Sequence, residues 1–206
     1  TIGDYWPTAI NNEWVFQANG FDESPMKIIS KNIINNKTYY TFDSLFGESS
    51  DATVDAVATV RLHKNAGVYT IKFEELILDF DGFKGKQSGY EFIMLKDNLN
   101  VGQKWTGSYT QTTTYEIAQF PIVNLTTNYT GTVLEKGATV IVNEKSFSNV
   151  IRVNLKMTSS YLGIDTVIDS DYWFAKDIGP IKTVTKSTSI GFTATVTNEL
   201  LSYVIK

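Results

Sequence analysis

The sequence contains no cysteine, one histidine and only four prolines among its 206 residues. Without thiols, the chain can form neither a disulfide framework nor a thiolate metal site. The single imidazole, that of His63, excludes a cluster of histidine ligands. No glycine-rich loop of the kind that cradles phosphates is present either. We therefore expect neither a metal nor a cofactor.

Positive charge is also scarce. The chain has 18 Lys and Arg residues against 22 Asp and Glu residues, for a net charge of −4, and its basic residues form no cluster. A nucleic-acid partner is excluded on this ground, because phosphates require a stripe of Lys and Arg. Electrostatic attachment to an anionic membrane surface is excluded for the same reason.

Long apolar runs are missing too. No segment approaches the roughly 18–20 apolar residues that a membrane-spanning helix needs. The chain begins at Thr1 rather than at a methionine, which suggests a processed N-terminus. We expect contact with a membrane only through an N-terminal anchor that has been removed.

Short stretches with a two-residue period are abundant. Trp14 and Phe16 share one face and Glu13, Val15 and Gln17 the other, and the segment from Ile151 to Met157 places apolar and polar side chains on opposite faces,. No sustained helical period occurs. The pattern predicts an all-β fold of about ten or more antiparallel strands that form a strongly curved sheet or incomplete barrel, with at most short helices in the connections. The length fits a single domain, residues 1–206.

Two features of the strand pattern predict local irregularity. The odd-numbered residues Tyr69 to Phe73 share a face, whereas Leu76 and Leu78 continue with the opposite parity. A β-bulge at Glu74–Glu75 would restore the burial of both sets. The segments 43–56 and 111–121 are less regular, and we expect them to act as loops that cover an opening.

Several acidic residues are candidates for a chemical role, and a structural role is favoured for each. Asp79 and Asp81 precede Gly82 but lack the remaining ligands of a calcium loop. Glu74 and Glu75 point to opposite faces of a strand, which is unsuitable for a paired acid and base. No nucleophile elbow accompanies His63. The side chains of Asp165, Asp169 and Asp171 share parity and are expected on a solvated face.

The large aromatic residues offer an alternative to chemistry. Core packing is the expected role of Trp14, Trp105 and Trp173, and the alternative is an apolar or sugar-stacking cavity lined by aromatic rings. The candidate ligand-binding residues are Tyr115, Phe120, Trp105 and Tyr129.

Four short blocks along the chain resemble those of a known group of proteins. They are Asp4-Tyr5-Trp6-Pro7 with Asn12-Glu13-Trp14-Val15-Phe16, then Leu99 to Trp105, then Ser146 to Ile151, and finally Tyr172-Trp173-Phe174-Ala175-Lys176-Asp177-Ile178-Gly179-Pro180-Ile181-Lys182. Together they resemble secreted proteins and lipoproteins of Bacteroidetes that begin with a YfP…GNxWxY pattern and end near WFAxxIGxIK. Asp177 stands where that group usually has glycine, and Pro180 follows Gly179.

This resemblance implies an exported β-protein of the cell envelope, in the periplasm or at the outer membrane or cell surface, lipid-anchored in its full-length form. It also implies a distant similarity to the half-barrel of the outer-membrane lipoprotein carriers, which fold over an apolar cavity. No catalytic residues are implied.

Three functions follow from these observations, in decreasing order of preference. The first is a non-catalytic protein that binds a lipid-like or other small hydrophobic ligand in a groove of the curved sheet. The second is an envelope structural or interaction module that binds a protein or glycan through its surface. The third is an envelope hydrolase.

Overall fold

The chain is described by a computed structural model over residues 3–45, 59–80, 83–117 and 119–206. The described residues contain fifteen strands and no helix, and 73% of these residues are in strands. The strands are β1 (Glu13–Ala18), β2 (Phe21–Asp22), β3 (Met26–Ile34), β4 (Lys37–Phe42), β5 (Val60–Asn65), β6 (Val68–Phe73), β7 (Leu76–Phe80), β8 (Phe83–Gln87), β9 (Tyr90–Lys96), β10 (Lys104–Tyr115), β11 (Val123–Val142), β12 (Lys145–Tyr161), β13 (Ile164–Ala175), β14 (Gly179–Ser189) and β15 (Phe192–Val204).

All of these strands belong to one antiparallel sheet. Its order is β7-β8-β10-β11-β12-β13-β14-β15-β1-β3-β4-β5-β6-β9, and β2 pairs with β1 outside this path. The sheet is not closed by a ladder between β9 and β10 in the part of the chain that the structure describes. The prediction of an all-β fold with a large antiparallel sheet is confirmed.

A dense core fills the part of the sheet built around β1. The side chains of Trp6, Trp14 and Phe174 are fully buried there, and the rings of Trp6 and Phe174 lie 5.5 Å apart. The indole nitrogen of Trp14 donates a hydrogen bond to the carbonyl oxygen of Ile178, at 2.7 Å. The burial of apolar surface is the dominant favourable contribution to the free energy of folding, and large rings such as these supply much of it.

The turn between β13 and β14 explains the aromatic block that ends at Gly179-Pro180. Gly179 has a φ of 111°, and a Cβ on it would lie 3.0 Å from the indole nitrogen of Trp14. Any other residue would strain the backbone and crowd the tryptophan. Glycine at this position therefore lets the turn approach the core closely.

The sheet is interrupted at Glu74–Glu75, but the predicted bulge is wrong. Phe73 pairs with Tyr90, and Leu76 pairs with Gln87. Two residues, 74–75, separate β6 from β7, and two residues, 88–89, separate β8 from β9. Because the two gaps are equal in length, no one-residue slip occurs at this point. The register shift in the pairing of β6 with β9 lies between Tyr69 and Thr70 instead.

The two segments expected as covering loops have different outcomes. In the segment 111–121, residues 111–115 continue β10 and pair with β11 or β8. Regular strand therefore replaces loop in the first half of that segment. Most of the segment 43–56 lies outside the described residues.

The strands of the second half of the chain extend beyond the core. On β12, residues from Val150 to Leu155 are mostly buried, whereas exposure increases from Met157 to Tyr161. On β13 the buried Ser170 and Phe174 contrast with the exposed Ile164 at the other end. The sheet thus has a packed end and an uncovered end, and the uncovered end consists of the outer ends of the hairpins β12–β13 and β14–β15.

Candidate functional site

The free edge of β9 faces β10 and β11 across a seam that side chains fill. The indole nitrogen of Trp105 on β10 donates to the carbonyl oxygen of Ile93, at 3.0 Å. The backbone N–H of Ile93 donates to the hydroxyl oxygen of Tyr129 on β11, at 3.3 Å. The two aromatic residues thus satisfy backbone groups that would otherwise need another strand.

Two glycines make room for these aromatic residues. Trp105 is paired with Gly131 across β10 and β11, and Gly107 is paired with Tyr129. A Cβ on Gly131 would lie 2.0 Å from an indole carbon, and a Cβ on Gly107 would lie 2.3 Å from the tyrosine oxygen. Each ring therefore lies over the glycine opposite it, which is a known way of covering glycine in a sheet.

An aromatic wall continues from this seam. We use the term for five residues of β6, β9, β10 and β11, namely Phe73, Tyr90, Phe92, Tyr109 and Tyr129. The rings of Tyr90 and Tyr109 stack at 4.4 Å and those of Phe73 and Tyr90 at 4.8 Å. Phe73, Tyr90 and Tyr109 are only partly buried. The wall thus offers apolar ring surface that the core does not cover.

Short hydroxyl side chains occupy the same side of the sheet farther along. Ser170 and Thr185 are cross-strand partners whose hydroxyl oxygens lie 3.0 Å apart. Asn198 donates to the hydroxyl of Thr183 at 3.0 Å. Ser170 and Thr183 are each 2% exposed. This hydroxyl face, residues 170, 183, 185 and 198, adjoins the core at the base of the uncovered end.

The ends of the hairpins β12–β13 and β14–β15 carry the most exposed apolar side chains of this region. Leu162 is 84% exposed and Ile190 is 78% exposed. Their φ angles are 51° and 49°, in the left-handed region. A residue with a Cβ loses about 1–2 kcal/mol in that conformation, and a β-branched residue is a genuine outlier there.

The predicted ligand residues Tyr115 and Phe120 lie near the same end of the molecule. Their rings are 5.5 Å apart, and both are partly exposed, at 37% and 46%. Tyr115 also lines a groove of about 470 Å³ between the β7–β8 hairpin and the end of β10. The four predicted residues are thus divided, with Trp105 and Tyr129 in the seam and Tyr115 and Phe120 at the outer end of β10.

A second polar site lies at a shallow cleft of about 290 Å³ beside the β5–β6 turn. The hydroxyl of Tyr69 donates to Asp97 Oδ2 at 3.0 Å and accepts the backbone N–H of Tyr5 at 3.1 Å. Lys64 binds both carboxylate oxygens of Asp4. Burial raises the pKa of Asp97 and that of Tyr69. These contacts attach the segment before β1 to the rest of the sheet.

The other acidic candidates make structural contacts. Glu74 accepts hydrogen bonds from Arg61 at 2.8 Å and from Lys72 at 2.9 Å. Burial acts to raise the pKa of Glu74, but these two hydrogen bonds outweigh it and the pKa is lowered. His63 Nδ1 lies 2.8 Å from the carbonyl oxygen of Thr38. Among the described residues, no group of three or more His, Cys, Asp or Glu side chains is placed to hold a metal ion; Asp81 lies outside those residues.

Sequence reasoning missed a polar row on the opposite face of the sheet. Arg152, Trp173, Lys182 and Glu199 are successive cross-strand partners from β12 to β15. The Arg152 guanidinium lies 4.8 Å from the centre of the Trp173 ring, and Lys182 pairs with Glu199 at 2.6 Å. Trp14 and Trp105 are buried, whereas Trp173 is only partly buried, between two cations. Register decides this arrangement, and register was not readable from the chain.

Comparisons with known proteins give a fold but no family. No family model and no curated protein matches the chain. A solved structure from Bacteroides fragilis, of a protein described as exported and as having a YmcC-like fold, is similar with a TM-score of 0.53 and 9% identity over 98% of this chain and 99% of that one. The two chains share a fold. A protein of Parabacteroides distasonis described as a lipoprotein has a TM-score of 0.49 and 8% identity over 98% of this chain and 99% of its own.

None of the described residues forms a helix with the length and apolar character that a membrane span requires.

Proposed function

We propose that this chain is a single-domain, non-catalytic exported β-protein that binds a lipid-like ligand on the concave side of its sheet. The binding surface is the aromatic wall together with the uncovered inner faces of β12 to β15. The observation that carries the proposal is the incomplete burial of Phe73, Tyr90 and Tyr109 beside a fully packed core. Partly exposed, stacked rings at the rim of a core are typical of apolar ligand sites.

The inner face next to the wall suits a long apolar molecule. Tyr129, Met157, Ile168 and Ser187 form one row of cross-strand partners from β11 to β14. Met157 is partly buried and Ile168 is 36% exposed. An acyl chain lying along this row would contact the wall at one end and small hydroxyl residues at the other. Methionine adapts readily to irregular apolar ligands.

The location of the protein is part of the proposal. The sequence blocks resemble exported envelope proteins, and the Bacteroides fragilis protein that shares the fold is described as exported. We infer an extracytoplasmic location on these two grounds. A lipid anchor and the choice between periplasm and cell surface are finer expectations that come from the resemblance alone.

Catalysis is not part of the proposal, because the two carboxylates with a shifted pKa, those of Asp97 and Glu74, both accept hydrogen bonds from other side chains. Asp97 accepts from Tyr69, and Glu74 accepts from Arg61 and Lys72. Each carboxylate thus holds two parts of the chain together.

A second candidate function uses the same surface: stacked rings beside the hydroxyl face are also the chemistry that recognises a glycan.

A pair of substitutions on β14 tests the proposal. Ser187 faces the concave side as the partner of Ile168, and its neighbour Thr188 faces the opposite side,. We expect the wild type to bind the fluorescent fatty acid 11-(dansylamino)undecanoic acid, Ser187→Phe to weaken binding about tenfold or more, and Thr188→Phe to leave it unchanged. Melting temperatures of the two variants establish that both are folded.

The same proteins separate the alternatives. Binding of an oligosaccharide by isothermal titration, lost in Ser187→Phe and without binding of the fatty acid, would favour the glycan function. Mass spectrometry of organic extracts from the purified protein gives an independent measurement. Absence of any co-purified lipid, together with equal behaviour of Ser187→Phe and wild type towards the fatty acid, would overturn the proposal.

A further inference from the structure

We infer that the hairpin tips, residues 161–164 and 189–192, insert into the interfacial layer of a lipid bilayer. The inference concerns the outer end of the sheet and does not depend on a ligand on the concave face. It starts from Leu162 and Ile190, whose left-handed conformation is unfavourable and whose side chains are largely exposed,.

The two tips carry larger apolar residues than the left-handed positions of the other hairpin turns. At three of those turns, Asn19, Asn35 and Asn143 occupy left-handed positions, as the short polar side chain of asparagine allows, and at the β5–β6 turn the small Ala66 does so,. At the tips, Leu162 and Ile190 take this position before Gly163 and Gly191. Their side chains are 84% and 78% exposed. Local stability would favour asparagine, so the apolar side chain is explained by something outside the molecule.

The tips lie side by side and form one apolar edge. Thr166 pairs with Ser189, so the end of the β12–β13 hairpin adjoins the end of the β14–β15 hairpin. Phe192 is 72% exposed, and Tyr161 and Ile164 are 44% and 43% exposed. The connection at the outer end of β10 adds the exposed Ile122, at 63%.

The chemistry of the edge matches a bilayer interface. Residues 159–164 and 187–198 contain no Asp, Glu, Lys or Arg, in a chain that is 19% charged. Their other side chains are mainly Ser and Thr. Aromatic and aliphatic residues with hydroxyl neighbours are the composition that partitions at the level of lipid headgroups.

The shape of the edge distinguishes a bilayer from a protein partner. The most exposed side chains stand on two separate narrow turns, Leu162-Gly163 and Ile190-Gly191. A protein partner would need a matched pocket for each turn, and charged or hydrogen-bonding groups would ordinarily define its register. A bilayer accepts separate apolar side chains at one depth without a complementary shape. The uncharged edge therefore commits the inference to lipid.

Vesicle flotation tests the inference with a variant that should fold at least as well as the wild type. The double substitution Leu162→Asn and Ile190→Asn removes apolar surface and supplies the preferred residue at both left-handed positions. We expect the wild type to float with vesicles of phosphatidylcholine and phosphatidylethanolamine, and the double variant to lose at least about tenfold in partitioning. Its melting temperature should equal or exceed that of the wild type.

Ile141→Asn is the matched control. Ile141 is 72% exposed on β11, close to the turn at Asn143 at the opposite end of the sheet. This variant should float as the wild type does. If it loses as much partitioning as the double variant, general surface hydrophobicity is responsible and the inference is wrong.

The absence of cysteine allows a second measurement at single positions. An NBD fluorophore on Leu162→Cys should gain intensity on adding vesicles and be quenched by lipids with spin-labelled acyl chains, whereas NBD on Ile141→Cys should not. Failure of the wild type to float, or unchanged NBD emission at 162, would overturn the inference. Concentration-dependent dimerisation that the double Asn variant abolishes, without vesicle binding, would overturn it in favour of a second copy of the chain.

Discussion

The indole ring of Trp105 lies directly over Gly131, the residue opposite it on the neighbouring strand, where a Cβ would be 2.0 Å from an indole carbon. The same ring reaches the edge of β9 and binds the carbonyl oxygen of Ile93. One glycine thus makes possible a contact between strands that no ladder connects. The seam between β9 and β10 is sensitive to any change at either residue.

Gly131→Ala should destabilise the protein by about 1–3 kcal/mol, as overpacking in a dense interior does. The added methyl group would displace the indole and break its hydrogen bond to Ile93. Urea denaturation of the variant measures the loss of unfolding free energy.

Trp105→Phe provides the control for this prediction. This variant already lacks the indole N–H, and its smaller ring leaves more room above position 131. The cost of Gly131→Ala should therefore be smaller in the Trp105→Phe background than in the wild type. Strictly additive effects would show that the glycine does not act through the indole.

Tyr129→Phe should expose the backbone of β9 at one position. The N–H of Ile93 would lose its acceptor, the Tyr129 hydroxyl, at a cost of about 1–3 kcal/mol for a buried unsatisfied donor. Amide hydrogen exchange should accelerate at Ile93 and much less at Leu95, which pairs with Tyr69. Equal acceleration along the whole of β9 would instead indicate global destabilisation.

The stability of the Asp97→Asn variant, relative to that of the wild type, should increase as the pH rises. Burial raises the pKa of Asp97 in the folded state above the ordinary value of 3.8 that it has in the unfolded chain. The unfolded chain therefore loses this proton at a lower pH than the folded chain, and the wild type loses stability as the pH rises through the unfolded and then the folded pKa. An asparagine oxygen can still accept from Tyr69 without a charge. The difference in melting temperature between variant and wild type should grow from pH 3 to pH 7, and a constant difference would contradict the prediction.

Glu74→Gln should show the opposite dependence on pH. The hydrogen bonds from Lys72 and Arg61 lower the pKa of Glu74 in the folded state. The stabilisation is therefore present above its ordinary pKa of 4.5 and lost as the pH falls through the folded value,. We expect the variant to be about 1 kcal/mol less stable than the wild type at pH 7, and to approach it at pH 2.5. Chemical denaturation at the two pH values makes the comparison, and an undiminished difference at low pH would refute it.

Part of the fold could be predicted from the sequence, because the alternation of apolar and polar residues along a strand indicates which side chains are buried. The alternation predicts that Trp14 and Phe16 share one face, and both are fully buried. The turn between β3 and β4 is marked in the sequence by Asn35–Asn36, and both of these residues have left-handed φ angles, which asparagine tolerates,. The interruption at Glu74–Glu75 was located correctly but interpreted as a bulge, because one strand alone cannot reveal that its partner is interrupted by the same number of residues.

The candidate site was harder to predict from the sequence than the fold was. Trp105 and Tyr129 were named as ligand residues from their size and position, and no sequence signal indicated that both bind the backbone of Ile93. The sequence does not mark Leu162 and Ile190 as unusual, since an apolar residue before a glycine is ordinary in a sequence. Their significance depends on a left-handed φ and on solvent around them.

The chain by itself determined the class of fold, because a two-residue period of apolar side chains can be buried only by strands, and it determined which chemistry is absent, because thiols and histidine clusters must be encoded. Tertiary structure alone decided where the sheet remains open. That outcome depends on register and curvature, which bring Trp105 over Gly131 and leave the hairpin tips beyond the core. Such relationships join residues far apart in the chain, so no local pattern records them.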